Sequence, residues 1–339
     1  MSIEVISTLS GIARNDWNAL AGDDPFLKHE FLSALHETGC ATADTGWLPQ
    51  YVILRQAGAL VGALPLYLKS HSYGEYVFDW AWADAYSRHG LDYYPKLVSA
   101  VPFTPVTGRR LLAESPAHRR LLVDAALALA RDLDASSLHF LFPDASDARF
   151  LGERGLMLRH GVQFHWTNSG YADFDDFLAR MSHAKRKNIR QERRRVREAG
   201  IDYETREGGS ITDSDWQFFT RCYQRTYRAH HSSPYLNLDF FRQIGRTMPQ
   251  TLVLIIAQRN GRRIAASLNV HNGRQLFGRY WGCLEYHPAL HFETCYYRVI
   301  EYCIARSIEV FEGGAQGEHK MARGLLPVST ASAHWLAHP

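Results

Sequence analysis

Apolar residues fall three and four positions apart through the first 40 residues, at Trp17–Leu20 and again from Pro25 to Leu35. That spacing predicts two helices, the second ended by Gly39. From Tyr51 the period shortens. Tyr51–Leu54 and Leu60–Leu68, separated by a turn at Gly58, read as a hairpin, and the aromatic run Gly74–Trp82 reads as a third strand. A helix rich in Ala and Leu follows near His118–Leu133, then a strand at Ser137–Leu141.

The pattern changes in the middle of the chain. Phe174, Phe177, Leu178 and Met181 have helical spacing, and the helix is expected to run on through Lys185–Arg197 to a stop at Gly200. Arg186, Arg190, Arg193 and Arg197 share one of its faces, with Ile189 and Val196 on another. A helix that turns from amphipathic to basic reads as a connector between two lobes.

The second half repeats the earlier order. Helices are expected near Asp213–His231 and Leu238–Thr247, then strands at Thr251–Ala257, Arg263–His271 and Gln275–Trp281. Asn260-Gly261 and Asn272-Gly273 supply the tight turns between these strands. A helix near Glu293–Ser307, a short strand at Ser307–Phe311 and a last strand at Ser332–Leu336 complete the pattern.

Setting the halves side by side pairs Val77–Trp82 with Leu276–Trp281, and Tyr93–Val98 with Tyr296–Ile300. The fold class expected is α/β (α+β), as two similar lobes with mixed, largely antiparallel sheets flanked by helices. The boundaries expected are a lobe over residues 1–170, a basic connecting helix over 171–200, and a second lobe over 201–339.

Composition changes this picture little. With 46% hydrophobic and 22% charged residues the chain reads as a folded protein rather than a disordered one. No apolar run approaches the roughly 20 residues that cross a bilayer, and the N-terminus lacks the layout of a signal peptide, so a cytoplasmic location is expected. The five cysteines are scattered without a C-x-x-C pair and read as reduced buried thiols. Charge is more telling. The net value is only +3, yet His183–Glu198 carries eight Lys and Arg against two Glu. Basicity is therefore a patch, open to three readings: a solvated face, a contact to nucleic-acid phosphates, or docking on anionic lipid.

The spacings of a nucleophile elbow, a phosphate-binding P-loop and a dinucleotide fold are all absent. His287/His291 and His334/His338 are interrupted or ended by proline, so no metal is expected. Phe311–Lys320, continuing to Arg323-Gly324, remains: glycines beside a carboxylate, an imidazole, an ammonium and a guanidinium, directly after a strand. Acyl transfer to an amine needs a base, for which Glu318 or His319 qualifies. It also needs an oxyanion donor, for which Lys320, Arg323 or the loop N–H groups qualify. Each could equally be a surface charge.

The blocks Lys69–Trp82, Tyr93–Lys96, Val101–Pro105, Gly278–Gly282, Leu290–Glu293, Cys295–Tyr297 and Gly314–Lys320 resemble the bacterial peptidoglycan biosynthesis/recognition family. That family is similar to the Fem aminoacyltransferases of the GNAT superfamily. The resemblance implies two tandem GNAT-like lobes and transfer of an aminoacyl group from aminoacyl-tRNA to an amine of a peptidoglycan precursor or related small molecule. The donor is then a substrate, with no permanently bound cofactor. It implies that Lys320 polarises the acyl carbonyl, that Arg279, Tyr280, Trp281, His291, Glu293, Tyr297, Gln316 and Arg323 bind substrate, and that Lys69, Asp79 and Lys96 hold the acceptor. It also places tRNA on Lys185, Arg186, Arg190, Arg193, Arg194 and Arg197. The alternatives are an acyl-CoA-dependent N-acetyltransferase and a non-catalytic protein that binds a muropeptide or RNA. Two departures stand out. The [R/Q]-x-x-G-x-[G/A] pattern of acetyl-CoA users is missing, which counts against acetyl-CoA as the donor. The chain also stops where relatives continue into another helix, so a truncated last lobe is expected.

Overall fold

A computed structural model describes residues 1–314 and 317–338, apart from the side chain of Glu318. The chain forms two compact units, Met1–Gly161 with Ser329–Pro339, and Val162–Val328.

In the first unit the chain runs through β1 (Ser2–Ile6), α1 (Arg14–Ala21), α2 (His29–Glu37), β2 (Trp47–Pro49), β3 (Tyr51–Gln56), β4 (Ala59–Leu64) and β5 (Tyr67–Lys69). It continues through α3 (Trp80–Arg88), β6 (Lys96–Ser99), α4 (Pro116–Asp132), β7 (Ser137–Leu141) and α5 (Ala145–Glu153). Strands β1, β3 and β4 form one antiparallel sheet. A second sheet has the order β2-β5-β6-β7, antiparallel except for the parallel pair β6 and β7, and Ser332–Leu336 from the chain's end pairs antiparallel with β7. Helix α4 makes the crossover that a parallel pair requires. It is started by Ser115, whose hydroxyl accepts from the Ala117 N–H at 3.2 Å, and by Pro116. Its Leu122, Val123, Ala126 and Ala130 fill the core between the sheets with Leu97, Leu138 and Phe140.

The expected strand Gly74–Trp82 is not one. Tyr76 and Gly74 have φ of 63° and 82°, and α3 begins at Trp80. The alternating aromatics misled because burial here is set by charge: Glu75 and Asp79 turn inward to Lys96, leaving Tyr73, Phe78 and Trp80 outside. The strand β1 went unseen because all its residues but Ile6 are exposed.

The second unit takes up the chain within β8 (Met157–Thr167), followed by α6 (Phe174–Ala179), α7 (His183–Glu198), β9 (Ile201–Glu207), α8 (Asp213–Ala229) and α9 (Leu238–Thr247). Then come β10 (Leu252–Arg259), β11 (Arg262–His271), β12 (Gln275–Cys283), α10 (Leu290–Phe292), a π-helical turn (Glu293–Tyr297), α11 (Arg298–Ala305) and β13 (Val310–Glu312). A 3₁₀ turn (Glu318–Arg323) leads into β14 (Leu326–Leu336), the strand whose end belongs to the first unit. The sheet order is β8-β13-β12-β11-β10-β9, with β12 and β13 its parallel pair. The β10–β11 turn is the one foreseen, with Asn260 and Gly261 both at positive φ.

Two expectations are corrected. The helix predicted to run unbroken from Phe174 divides at Arg180–Ser182, where the Ser182 hydroxyl caps α7 by accepting from the Lys185 N–H. The residue pairings proposed between the halves also fail. Tyr93–Val98 leads into a strand whereas Tyr296–Ile300 is helical, and the true equivalents are strand–helix–strand units, β6-α4-β7 and β12-α11-β13.

Candidate active site

Strands β12 and β13 pair over only three positions, ending at Phe277 opposite Glu312, and then part. Ligands of α/β sheets bind where parallel strands diverge at their carboxyl ends, because the strand ends leave backbone groups and space there. A cavity of about 120 Å³ occupies this fork, lined by Asn269, Gly278 to Trp281, His291, Cys295, Tyr296, Phe311 and Gly313. Two glycines at its edge are required by close packing. A Cβ on Gly278 would lie 3.0 Å from the Phe311 ring, and one on Gly313 would lie 2.4 Å from Leu325 and 3.1 Å from the Phe164 carbonyl. The register between β11 and β12 slips beside the cavity: Leu268 faces Tyr280 and Asn269 faces Gly278, so Arg279 forms a bulge.

The corresponding fork of the first unit is closed. Past β6 and β7 the Gly108 N–H donates to the Phe142 carbonyl at 3.1 Å and Asp144 N–H donates back to Gly108 at 2.9 Å. Buried Arg110 then donates to the carbonyls of Leu141 and Val106, both at 2.8 Å.

At the mouth of the open fork the 3₁₀ turn presents Lys320. Its Nζ is buried and donates to the Gly314 carbonyl at 3.0 Å. Burial pushes its amine down to about 8, against the opposing pull of Glu312. His319, one residue earlier, lies 3.4 Å from the Tyr296 hydroxyl, and burial, Arg323 and Lys320 lower its affinity for a proton. Behind it His291 packs on Trp281 and Tyr296, and burial, then His319, Lys320 and Arg323, push it down to about 4. An ammonium thus stands beside the fork with neutral imidazoles next to it. Burial raises the Cys295 thiol well above its usual range, which leaves it a neutral wall of the cavity.

The other expected residues fall in distinct places. Arg279, Tyr280, Trp281 and His291 line the fork. Glu293 sits beneath it in an ion network, 3.1 Å from Arg193 and 2.9 Å from Arg298, with Glu301 joined to the same two arginines. Tyr297 donates to Glu192, and Arg323 donates to Glu192 at 2.6 Å and to the His319 carbonyl at 2.8 Å. Gln316 and the carboxylate of Glu318 lie outside the described residues. Lys69, Asp79 and Lys96 belong to the first unit. There Lys96 donates to Ser72 at 2.7 Å, Glu75 at 2.8 Å and Asp79, while Lys69 lies over the Trp47 ring. Glu192 and Glu312 were missed. Glu192 had a signal: it is the one acid at helical spacing between Ile189 and Val196 on the inner face of α7. Glu312, buried beside His165 at 3.6 Å, had none, since the end of a three-residue strand shows no periodicity.

The basic residues of α7 divide in the same way. Arg186, Lys187, Arg190, Arg193, Arg194 and Arg197 all line an open groove of about 1180 Å³ completed by Asp202 and Tyr203, and of these Arg193 is tied down at its floor by Glu293 and Glu301. Lys185 reaches the site itself, donating to the Met321 carbonyl at 3.0 Å.

The profile of the FemAB-like family, described as peptidoglycan biosynthesis/recognition, matches residues 8–339. The chain belongs to this family. Among solved structures the fold is similar to FemX, at 10% identity over 99% of this chain and 97% of that one, with a TM-score of 0.59. It is similar also to the C-terminal domain of a lysylphosphatidylglycerol synthetase from Agrobacterium fabrum, at 10% identity over 94% and 90% of the two chains and a TM-score of 0.59. A tandem GNAT protein from the clavulanic acid biosynthesis pathway matches at 14% identity over 100% and 99%, with a TM-score of 0.51. No curated protein matches the chain in sequence. The tandem GNAT-like α/β fold is thereby shown, and membership of the FemAB-like family supports an acyltransferase of Fem type. Among the described residues no helix is long and apolar enough to cross a membrane.

Proposed function

We propose that this FemAB-like protein transfers an aminoacyl group from aminoacyl-tRNA to an amine of a peptidoglycan precursor or a related small molecule. The observation that carries the reading is the buried Lys320 ammonium beside the open fork, in a turn that the start of the cationic helix α7 also touches. In the reaction the neutral acceptor amine attacks the ester carbonyl carbon. The carbonyl oxygen gains charge, the C–O bond to the ribose breaks, and an amide forms. Lys320 is the donor aimed at the developing oxyanion. His319, with its imidazole neutral, accepts the proton lost by the amine, and the departing ribose oxygen takes one up. The donor's phosphates lie along the groove of Arg186, Arg190, Arg194 and Arg197, where contacts to phosphate carry no sequence preference.

The segment between β12 and α10, Leu284-Glu-Tyr-His-Pro-Ala289, supports the ester donor over an acyl-CoA. It offers a proline without an N–H and a carboxylate where a pyrophosphate would need amides. The test is to incubate the protein with charged tRNA and candidate amines. Loss of ester with appearance of amide is expected, whereas turnover of acyl-CoA alone would move the reading to an ordinary N-acetyltransferase.

A further inference from the structure

A carboxylate buried in a helix of eight cations needs a reason, because burial costs it several kcal/mol unless it is paired. Glu192 has such pairing on both oxygens: Tyr297 donates to one and Arg323 to the other at 2.6 Å, with Asn188 at 3.4 Å. Its helical neighbours on that face, Ile189 and Val196, are apolar and buried, so the position could have been apolar too. The partner is what distinguishes it. Arg323 spans from Glu192 to the His319 carbonyl, and its guanidinium lies 3.4 Å above the Phe292 ring, which itself adjoins His319.

The turn that carries Lys320 has little to hold it from within. It is a single 3₁₀ stretch between two glycines at φ of 100° and 86°, with backbone bonds of 3.1 to 3.3 Å from Lys320, Gly324 and Leu325. Beyond the Lys320 bond to Gly314 and the His319 contact with Tyr296, it is tied down by Lys185 on the Met321 carbonyl and by Glu192 on Arg323, which also donates to the His319 carbonyl. Both arise from α7, which also carries the exposed cations of the groove.

We infer that Glu192 is a positioning residue, holding the His319–Lys320 turn against the fork through Arg323 and so making the inner face of the cationic helix part of the acyl-transfer site. The kinetic arm of its test rests on the transfer reading above; the spectroscopic arm does not.

The variants are Glu192→Gln, which keeps the shape and removes the charge, and Glu192→Asp, which keeps the charge. With charged tRNA and acceptor amine, Glu192→Gln is expected to lower kcat by roughly ten- to a hundredfold. KM and the Kd for the tRNA should stay within about twofold, because the groove cations are untouched, and Glu192→Asp should recover part of the loss. The second readout is the titration of Lys320 followed by NMR of ¹³Cε-labelled lysine. Burial and Glu312 set this titration, so a displaced midpoint in Glu192→Gln arises through movement of the turn. Unchanged kcat, or an unmoved Lys320 midpoint alongside a lowered Tm, would overturn the inference. If the parent turns over no ester at all, the transfer reading falls, and the Lys320 midpoint alone then decides the role of Glu192.

Discussion

The Lys320 ammonium donates to the Gly314 carbonyl at 3.0 Å, so glycines and lysine of one short segment close on each other at the fork. A hydrogen-bonded, buried ammonium is held in place before substrate arrives, which is what makes a donor effective toward a developing oxyanion. Lys320→Ala is expected to lower kcat by about 10² to 10³ while leaving tRNA affinity within about twofold, as read by steady-state kinetics and filter binding.

The same lysine sets a pH dependence. Its amine titrates near 8 in the fold and near its ordinary value of 10.5 when unfolded. Activity that depends on the ammonium therefore falls as pH rises through about 8. Stability moves the other way: between about 8 and 10.5 the unfolded chain holds the proton that the native chain has lost, so Lys320 contributes a rise in stability with pH across that window. Lys320→Met should abolish both trends, measured by pH–rate profiles and urea titrations.

Histidines act on stability in the same direction, but at lower pH. Burial pushes His36, His165 and His291 to about 4 and His334 to about 3. His334 shares a 2.7 Å hydrogen bond with His139 inside the first unit. Their unfolded values lie near 6.5, so on acidification from about 6.5 toward 4 the unfolded chain takes up protons that the fold refuses, and stability falls. His334→Asn should reduce the loss between pH 7 and pH 5 by about 2 kcal/mol, seen as a flatter dependence of the urea midpoint on pH.

The cations of α7 separate by role. Arg190 and Arg194 are exposed and make only 3.7 Å pairs with Asp175 and Glu198. Replacing either with Gln should leave stability within about 0.5 kcal/mol and reduce the salt slope of RNA binding by about 1. Arg193→Gln should instead cost about 1–3 kcal/mol, because it removes a donor from the buried Glu293. Equal effects of all three on RNA binding and none on stability would contradict the division.

One glycine is fixed by packing rather than by φ. A Cβ on Gly282 of β12 would stand 2.0 Å from the Cys222 carbonyl oxygen on α8. Gly282→Ala should cost about 1–3 kcal/mol, whereas Gly209→Ala, with nothing within 4 Å of the added methyl, should be silent in thermal denaturation.

Much of this was legible in the sequence where the determinants are local. The Asn260-Gly261 hairpin, α8, α9 and the three long strands of the second unit follow periodicity and turn chemistry. Lys320, His319 and Arg323 stand together because they share one segment. What stayed hidden depends on partners far away in the chain. The segment Gly74–Asp79 takes its shape from Lys96, and Glu192 gains its meaning only from Arg323, 131 positions later. A helix pattern shows that Glu192 faces inward, but not what it meets. Likewise no local signal tells that Gly108 and Arg110 close one fork while β12 and β13 part at the other.

The most direct test of the account is ester consumption by the parent protein and by Lys320→Ala with a full set of charged tRNAs and an amine acceptor. The account predicts that the parent converts at least one aminoacyl ester to amide, and that Lys320→Ala does so at least a hundredfold more slowly with unaltered tRNA binding. Intact esters throughout, or equal rates for the two proteins, would contradict it.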